Sequence, residues 1–339
     1  MLHRRQFVGI AAASALVPPL FTRSAPAQAV ARDAVARDAW PNRLVRIICP
    51  IAPGGGIDAV TRLVAARLSE IWRQQVVVEN RTGGSNNIAA EAVARSEPDG
   101  TTIFAAPPSL AVAGLLFPSL SYDPIADFAP VSLIGTYPNI MVVPNSSPAH
   151  SVKEFVAYAG ANRGKITYAS GGHGSSLHLA GELFKRMTGI EMTHVPYRGA
   201  APAFNDLIPG RVDVMFNLLA SSLPQVRAGK VRGLAVTTLE RVAVAPELPT
   251  VAEAGVPGFD VSSWIGLFVP AKTPVQIVSR LNADTVAALA DPATRQKLEA
   301  MGVVVIASAP SALADAVRAD MAKWGPIIKE AGISIRDRE

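Results

Sequence analysis

The chain has 339 residues, of which 49% are hydrophobic, and it carries 32 lysines and arginines against 27 aspartates and glutamates. This length is enough for two domains of ordinary size, each with its own core. The basic residues are scattered and lack interleaved aromatic residues, which argues against a nucleic-acid groove, and the single cysteine, Cys49, excludes an intramolecular disulfide.

Residues 1–29 have the three parts of an export signal. Arg4 and Arg5 are basic, residues 8–20 are mostly apolar, and the small residues up to Ala29 fit a cleavage site. The basic part also resembles a twin-arginine signal, so both the general secretory (Sec) route and the twin-arginine route stay open. Cleavage after Ala29 would lower the formal net charge from +5 to +2, and no later run of about 18 apolar residues predicts a membrane span. We therefore expect an exported, soluble protein.

The first predicted strand–helix unit centres on three glycines. Residues 45–51 are rich in β-branched side chains and predict a strand buried on both faces of a parallel sheet. Gly54, Gly55 and Gly56 follow at once, and apolar residues then recur at helical spacing, which places Asp58 in the first helical turn. Glycine lets a ligand approach the backbone, and a helix start offers unpaired N–H groups and a favourable dipole. The unit is therefore predicted to bind a carboxylate or a phosphate.

The same glycine loop admits two other interpretations. The pattern Gly54-x-Gly56-x-x-Ala59 resembles a dinucleotide-binding fingerprint, and Glu79 lies 25 residues after Gly54, near the position of a ribose-binding acid. The chain would then be an exported NAD(P)-dependent oxidoreductase. Alternatively, the glycines serve only the close packing of the strand against the helix.

Two further strands are predicted at residues 76–79 and 102–106, and each ends in a polar loop. Ser85 lies in the first of these loops and Ser109 follows the second strand. Because the carboxyl ends of parallel strands meet at one edge of a doubly wound sheet, we expect the three loops to line a common ligand site.

A second lobe is predicted in the middle of the chain. The first crossing into it is predicted as two strands, residues 131–134 and 140–143, and the return crossing as a strand at residues 264–269. Within this lobe, a strand at residues 166–170 leads into a glycine loop and then into a helix capped by Ser175 or Ser176, which is a second anion-ready helix start.

The predicted architecture is therefore α/β with two lobes, each a doubly wound, mostly parallel sheet, joined by two crossover strands that form a hinge. The first lobe is predicted to comprise residues 40–140 and 262–339, and the second residues 141–261. The helices of the C-terminal segment are expected to pack on the first lobe.

The sequence contains no complete catalytic or metal-binding motif. His173 and His178 are five residues apart, which does not match a helical i, i+4 pair, and neither they nor His194 are accompanied by a cysteine pair or a carboxylate cluster. No G-x-S-x-G elbow occurs around the serines of the second glycine loop. We therefore expect no enzyme, no metal site and no cofactor, whereas His173, inside the glycine loop, is a candidate ligand contact.

A set of short segments occurs in order between about Trp40 and the C-terminus: Pro53-Gly54-Gly55-Gly56-Ile57-Asp58, Glu79-Asn80-Arg81, Pro98-Asp99-Gly100, Tyr122-Asp123-Pro124 and His194-Val195-Pro196-Tyr197-Arg198-Gly199. Together these segments resemble the tripartite tricarboxylate transporter receptors, also called Bug proteins, a family of periplasmic solute-binding proteins. The chain departs from the family pattern at Ser85-Asn86-Asn87, where further glycines are usual, and this departure bears on which ligand is bound.

The resemblance implies a type II periplasmic-binding-protein fold that holds a small organic acid in the cleft between the lobes. It also implies a periplasmic location, two membrane subunits of a transporter as partners, and a monomeric receptor. Carried over by position, the ligand contacts are Ala52, Gly55, Gly56, Ile57, Asp58, Ser85, Ser109, Ser170, Gly174, Ser175 and Asp206.

The resemblance further implies a role for each group. The N–H groups of Gly55, Gly56 and Ile57 would hold one carboxylate at the first helix start. Ser170 and the Gly174-Ser175 pair would clamp a second polar group on closure, and Asp206 would orient a water or meet a hydroxyl or amine of the ligand.

Overall fold

The computed structural model describes residues 40–334, so the predicted export signal lies outside the described residues. Ten strands form one mixed sheet. They are β1 (Val45–Cys49), β2 (Val76–Asn80), β3 (Thr102–Ala106), β4 (Phe128–Pro144), β5 (Thr167–Ser170), β6 (Thr193–Pro196), β7 (Val214–Leu218), β8 (Val231–Val236), β9 (Ser262–Pro270) and β10 (Val304–Val305).

The helices alternate with the strands along most of the chain. They are α1 (Gly56–Trp72), α2 (Asn87–Ala94), α3 (Ser109–Leu116), α4 (Val152–Ala161), α5 (Ser176–Thr188), α6 (Ala200–Leu207), α7 (Leu219–Arg227), α8 (Val275–Ala290), α9 (Pro292–Ala300) and α10 (Pro310–Glu330). A 3₁₀ turn, Gly84–Asn86, precedes α2. Among these described helices, none combines the length and the apolar character that a membrane crossing requires.

The strand order is β2-β1-β3-β9-β4-β7-β5-β6, with β8 and β10 also paired to β4. Strands β1, β2 and β3 are mutually parallel, as are β5, β6 and β7, whereas β4 and β9 run antiparallel to their neighbours. The parallel sets are the first and the second lobe of the predicted architecture. The carboxyl ends of β1, β2 and β3 share one edge, as the sequence predicted.

The crossover strand β4 is continuous over 17 residues, where two shorter strands were predicted. Its pairing with β9 ends at Pro138, opposite Ser262, and its pairing with β7 begins at Asn139, opposite Leu218. Proline has no N–H to donate, so it is tolerated in a strand where the ladder changes partner. The predicted break is therefore the point where the ladder of β4 passes from β9 to β7.

The second lobe is covered by helices on both faces of its sheet. One cluster of buried side chains includes Phe155 of α4 and Phe184 of α5, and another includes Phe204 of α6 and Leu219 of α7. A sheet covered on both faces is the doubly wound arrangement that was predicted. Residues 41–334 belong to one compact unit, and the lobe boundaries at 140/141 and 261/262 stay a prediction.

The last helix, α10, contributes to the cores of both lobes. Leu313 and Val317 pack in the cluster around Phe104 and Phe268 in the first lobe. Farther along, Trp324, Ile327 and Ile328 pack in the cluster that also contains Phe155, Tyr168 and Phe184. The C-terminal segment was expected on the first lobe, whereas its helix α10 spans both.

Candidate functional site

The first helix start presents backbone N–H groups that lie ahead of the helical hydrogen-bond ladder. Ala59 N–H is the first to bond back into the turn, to Gly55 O at 3.0 Å, so the N–H groups of Gly56, Ile57 and Asp58 precede the helix's own ladder. Gly55 differs from the prediction, because its N–H donates to Ala52 O at 3.1 Å and closes the loop. The N–H groups that precede the helical ladder therefore begin at Gly56, one residue later than the predicted set of Gly55, Gly56 and Ile57.

The carboxylate of Asp58 holds the first loop in place. It is 2% exposed and accepts hydrogen bonds from Gly54 N–H at 2.9 Å, Arg62 Nε at 2.9 Å and Asn80 Nδ2 at 2.7 Å. Burial raises the pKa of this carboxyl, but the hydrogen bonds from Arg62, Asn80 and Gly54 outweigh it and keep the pKa below its ordinary value. Each oxygen accepts at least one hydrogen bond from the loop or its neighbours, so the Asp58 carboxylate holds the loop in position.

The second and third loops meet as predicted. Asn86 Nδ2 donates to Ser109 Oγ at 2.9 Å, and Tyr122 Oη donates to Asn87 Oδ1 at 2.6 Å. Ser85 and Asn86 have φ angles of 51° and 79°, in the left-handed region that costs about 1–3 kcal/mol for a residue with a side chain. The side chains of Asn86 and Asn87, which stand where the family usually has glycines, therefore tie the second loop to its neighbours. The left-handed backbone of Ser85 and Asn86 adds some strain.

The second helix start is built by the loop between β5 and α5. Ser175 caps α5, as predicted, because its Oγ accepts from His178 N–H at 3.2 Å and donates to Gly172 O at 2.8 Å. Leu179 N–H is the first to bond back, to Ser175 O, which leaves the N–H groups of Ser176 and Leu177 ahead of the ladder.

Each helix start contacts the opposite lobe. A Cβ placed on Gly56 would lie 3.3 Å from Leu218 Cδ1, at the end of β7 in the second lobe. A Cβ placed on Gly174 would overlap Leu116 Cδ1 at the end of α3, and Gly174 also has a left-handed φ of 71°. Gly174 is therefore favoured both by its backbone conformation and by the close approach of Leu116, whereas a side chain at Gly56 would require Leu218 to shift slightly.

A chain of buried polar side chains ties α5 to both crossover strands. Ser176 Oγ lies 2.5 Å from Ser263 Oγ on β9, and Ser263 Oγ donates to Asn139 Oδ1 on β4 at 3.1 Å. All three residues are less than 9% exposed. The orientation of the second helix start is therefore coupled to the hinge.

Three histidines gather beneath the second glycine loop. Residue His194 lies on β6, whose parallel pairing places it beside Tyr168 of β5, and its ring centroid is 4.0 Å from that of His178 and 4.9 Å from that of His173. One ring nitrogen from each histidine lies within 4.8 Å of the other two. The sequence argument considered the spacing of His173 and His178 and missed this grouping, because strand register decides it.

Ser170 and the loop residues fix these rings. Ser170 Oγ lies 2.7 Å from His194 Nε2, and Gly174 N–H donates to His178 Nδ1 at 3.1 Å. Burial, with a smaller contribution from the nearby His173, lowers the pKa of His178 to about 3. Burial likewise holds the pKa of His194 well below its ordinary value, so both rings are neutral at pH 7.

Asp206 lies near the end of α6, in the second lobe. Its oxygens accept hydrogen bonds from Tyr197 Oη at 2.8 Å and Arg211 Nη1 at 2.9 Å. The hydrogen bond from Arg211, and then that from Tyr197, lowers the pKa of its carboxyl. Tyr197 N–H in turn donates to Ser170 O at 3.1 Å. Tyr197 therefore connects Asp206 to Ser170 by one hydrogen bond to each.

Comparison with known proteins places this arrangement among solute-binding proteins. A sequence model of the tripartite tricarboxylate transporter family receptor matches residues 60–333. Protein BugT of Bordetella pertussis (strain Tohama I) is 32% identical over 304 residues, which are 89% of this chain and 93% of BugT.

Two solved structures with bound acids are similar over nearly the same span. The structure of R. palustris Rpa4515 with adipate has 40% sequence identity and a TM-score of 0.83, and the match covers 87% of this chain and 100% of that one. MatC (Rpa3494) from Rhodopseudomonas palustris with bound malate has 34% identity and a TM-score of 0.79, covering 85% of this chain and 100% of MatC.

Proposed function

Because the chain belongs to the tripartite tricarboxylate transporter receptor family, we propose that it captures a small organic acid in the periplasm for uptake. The observation that carries the proposal is the pair of free helix starts, at Gly56 and at Ser176, each in contact with the opposite lobe. A helix start binds a carboxylate without a lysine or arginine, because its N–H groups and its dipole both favour negative charge.

Two such starts in facing lobes suit a ligand with two acidic or polar ends. In this proposal the N–H groups of Gly56, Ile57 and Asp58 hold one carboxylate. Ser170, Ser175 and the N–H groups that open α5 hold the second end when the lobes close. Adipate and malate, the acids present in the two similar structures, are both dicarboxylates, so dicarboxylates are the first class to test.

The proposed partners are the two membrane subunits of a tripartite transporter, with the receptor acting as a monomer. Export through either route would deliver the chain after cleavage near Ala29. The alternative is an exported NAD(P)-dependent oxidoreductase that uses the Gly54-x-Gly56-x-x-Ala59 loop. Membership of a receptor family favours solute binding over this alternative.

A thermal-shift screen of protein lacking residues 1–29 tests the proposal. The ligands are dicarboxylates, tricarboxylates, aromatic acids, acidic amino acids, NAD and NADP. A ligand at about 100 times its dissociation constant stabilises the folded state by roughly 2.7 kcal/mol, which raises the midpoint measurably. Titration calorimetry then gives the dissociation constant of each acid that shifts it.

A matched pair of variants tests whether the thermal shift caused by the acid depends on the first helix start. Gly56→Leu should abolish binding, because the new side chain meets Leu218 and covers the N–H groups. Gly160→Leu is the control, since Gly160 lies on the exposed face of α4 with no atom within 4 Å of its Cβ position. A shift with NAD and with none of the acids would overturn the proposal and leave the oxidoreductase.

A further inference from the structure

We propose that the Tyr137 hydroxyl is a further ligand-binding group, which donates a hydrogen bond to an oxygen atom of the bound acid. This role rests on the proposed function. It extends the site from the two helix starts to the crossover strand β4, on which Tyr137 lies. The role of Tyr137 depends on the face of β4 from which its side chain projects, and strand register decides that face.

Register places Tyr137 on the same face of the crossover strands as Ser263 and Asn139. Tyr137 pairs with Ser263 of β9, and Asn139 lies two residues farther along β4. Paired residues, and residues two apart on one strand, project from the same face of a sheet. Trp264, next to Ser263 on β9, projects from the other face, where its indole donates to Asp320 of α10 at 2.7 Å. The Tyr137 side chain is therefore on the face opposite to the one that Trp264 presents to α10.

The face that carries Tyr137 contacts both helix starts. Ser263 Oγ lies 2.5 Å from Ser176 Oγ, in the first residue of α5. Leu218 of β7 shares this face through its pairing with β4, and its Cδ1 would lie 3.3 Å from a Cβ placed on Gly56. Tyr137 therefore projects from the part of the sheet that lies between the two helix starts.

The Tyr137 hydroxyl has no hydrogen-bond partner among residues 40–334, although the residue is only 1% exposed. Buried hydroxyls are nearly always paired, because the loss of their hydration is otherwise not offset. Burial, with a smaller effect from Cys49, raises the pKa of the phenol, so the hydroxyl keeps its proton at pH 7. A neutral O–H group can donate to a carboxylate without repelling it. An acid held between the two helix starts supplies the acceptor that the protein itself does not.

Titration calorimetry of Tyr137→Phe with adipate, malate and citrate tests this role. The variant keeps the ring and removes only the hydroxyl, so the affinity for each acid that binds the wild type should fall about tenfold. Its thermal midpoint without acid should be unchanged or higher, because the lost hydroxyl has no partner within residues 40–334. Tyr158→Phe is the matched control and should bind as the wild type does, since Tyr158 lies half-buried on α4, outside the site.

A second readout reports the contact between the acid and the phenol. Adipate, malate or citrate, where it binds, should produce a tyrosine band in the near-UV difference spectrum of the wild type, and Tyr137→Phe should reduce that band. Wild-type affinity in Tyr137→Phe would overturn this role alone. A fall in its thermal midpoint without acid would show that the hydroxyl has a partner within the protein, and would also overturn the role. Failure of the wild type to bind any acid would overturn the proposed function as well.

Discussion

At the scale of single residues, the Asp58 carboxylate holds the first glycine loop in place by hydrogen bonds. Asp58→Ala removes the hydrogen bonds that the buried carboxylate accepts from Gly54 N–H and Asn80 Nδ2, and a hydrogen bond to a charged group contributes about 1.5–3 kcal/mol. We expect the free energy of unfolding to fall by about 2 kcal/mol in urea titrations at pH 7. Arg62→Ala should cost less than about 1 kcal/mol, because Arg62 is half exposed. Equal losses in the two variants would contradict this account.

The same residue predicts a pH dependence. The folded pKa of Asp58 lies below its ordinary value, so its ionised form stabilises the protein above the unfolded pKa of about 3.9. That stability is lost as the pH falls through the folded pKa. The difference in unfolding free energy between the wild type and Asp58→Ala should therefore narrow below about pH 4, as urea titrations at successive pH values would show.

Alanine variants of Gly174 and Gly189 separate two costs: the strain of a left-handed backbone and the clash of a new side chain with the opposite lobe. Their φ angles are 71° and 70°, but a Cβ on Gly174 would overlap Leu116, whereas a Cβ on Gly189 meets nothing within 4 Å. Both alanine variants should lose about 1–2 kcal/mol of stability from the backbone. Gly174→Ala should lose a further 1–3 kcal/mol, roughly, by overpacking, and it alone should weaken acid binding in calorimetry.

At the scale of elements, the hydroxyl of Ser263 links the second helix start to the hinge. Ser263→Ala removes the partner of Ser176 Oγ and of Asn139 Oδ1 in a buried position, so stability should fall by about 1–3 kcal/mol and acid binding should weaken. Ser132→Ala is the matched control on β4, since its hydroxyl bonds to Ser308 O, away from the site. Unchanged acid affinity in Ser263→Ala would show that the link does not orient α5.

The helices, strands and loops also differ in how well the sequence alone predicted them. The glycine loops, the Ser175 cap and the shared strand edge depend on local patterns, and the sequence predicted them. The continuity of β4 through Pro138 and the approach of His194 to His173 depend on which strands pair and in which register. Register is set by packing between distant segments, so no local pattern in these residues reveals it. The hydrogen bond from Gly55 N–H to Ala52 O was not predicted, because it depends on the conformation of one loop.

At the scale of the whole molecule, α10 should make the two lobes unfold together. Leu313 and Ile327 lie on this helix but pack in different cores, and replacing either by alanine should cost about 2–5 kcal/mol. We expect both variants to shift a single transition, with far-UV circular dichroism and tryptophan fluorescence changing together. Two separate transitions, with each variant shifting only one, would show that α10 does not couple the lobes.

The path of α10 also determines the thermodynamics of ligand capture. If the lobes part when the acid leaves, Trp324 and Ile328 must withdraw from the second core, or the helix must bend near Pro326. Binding of the acid would then bury apolar side chains of α10 that do not touch the acid itself. The heat capacity of binding would be more negative than the small contact area of the acid itself could produce.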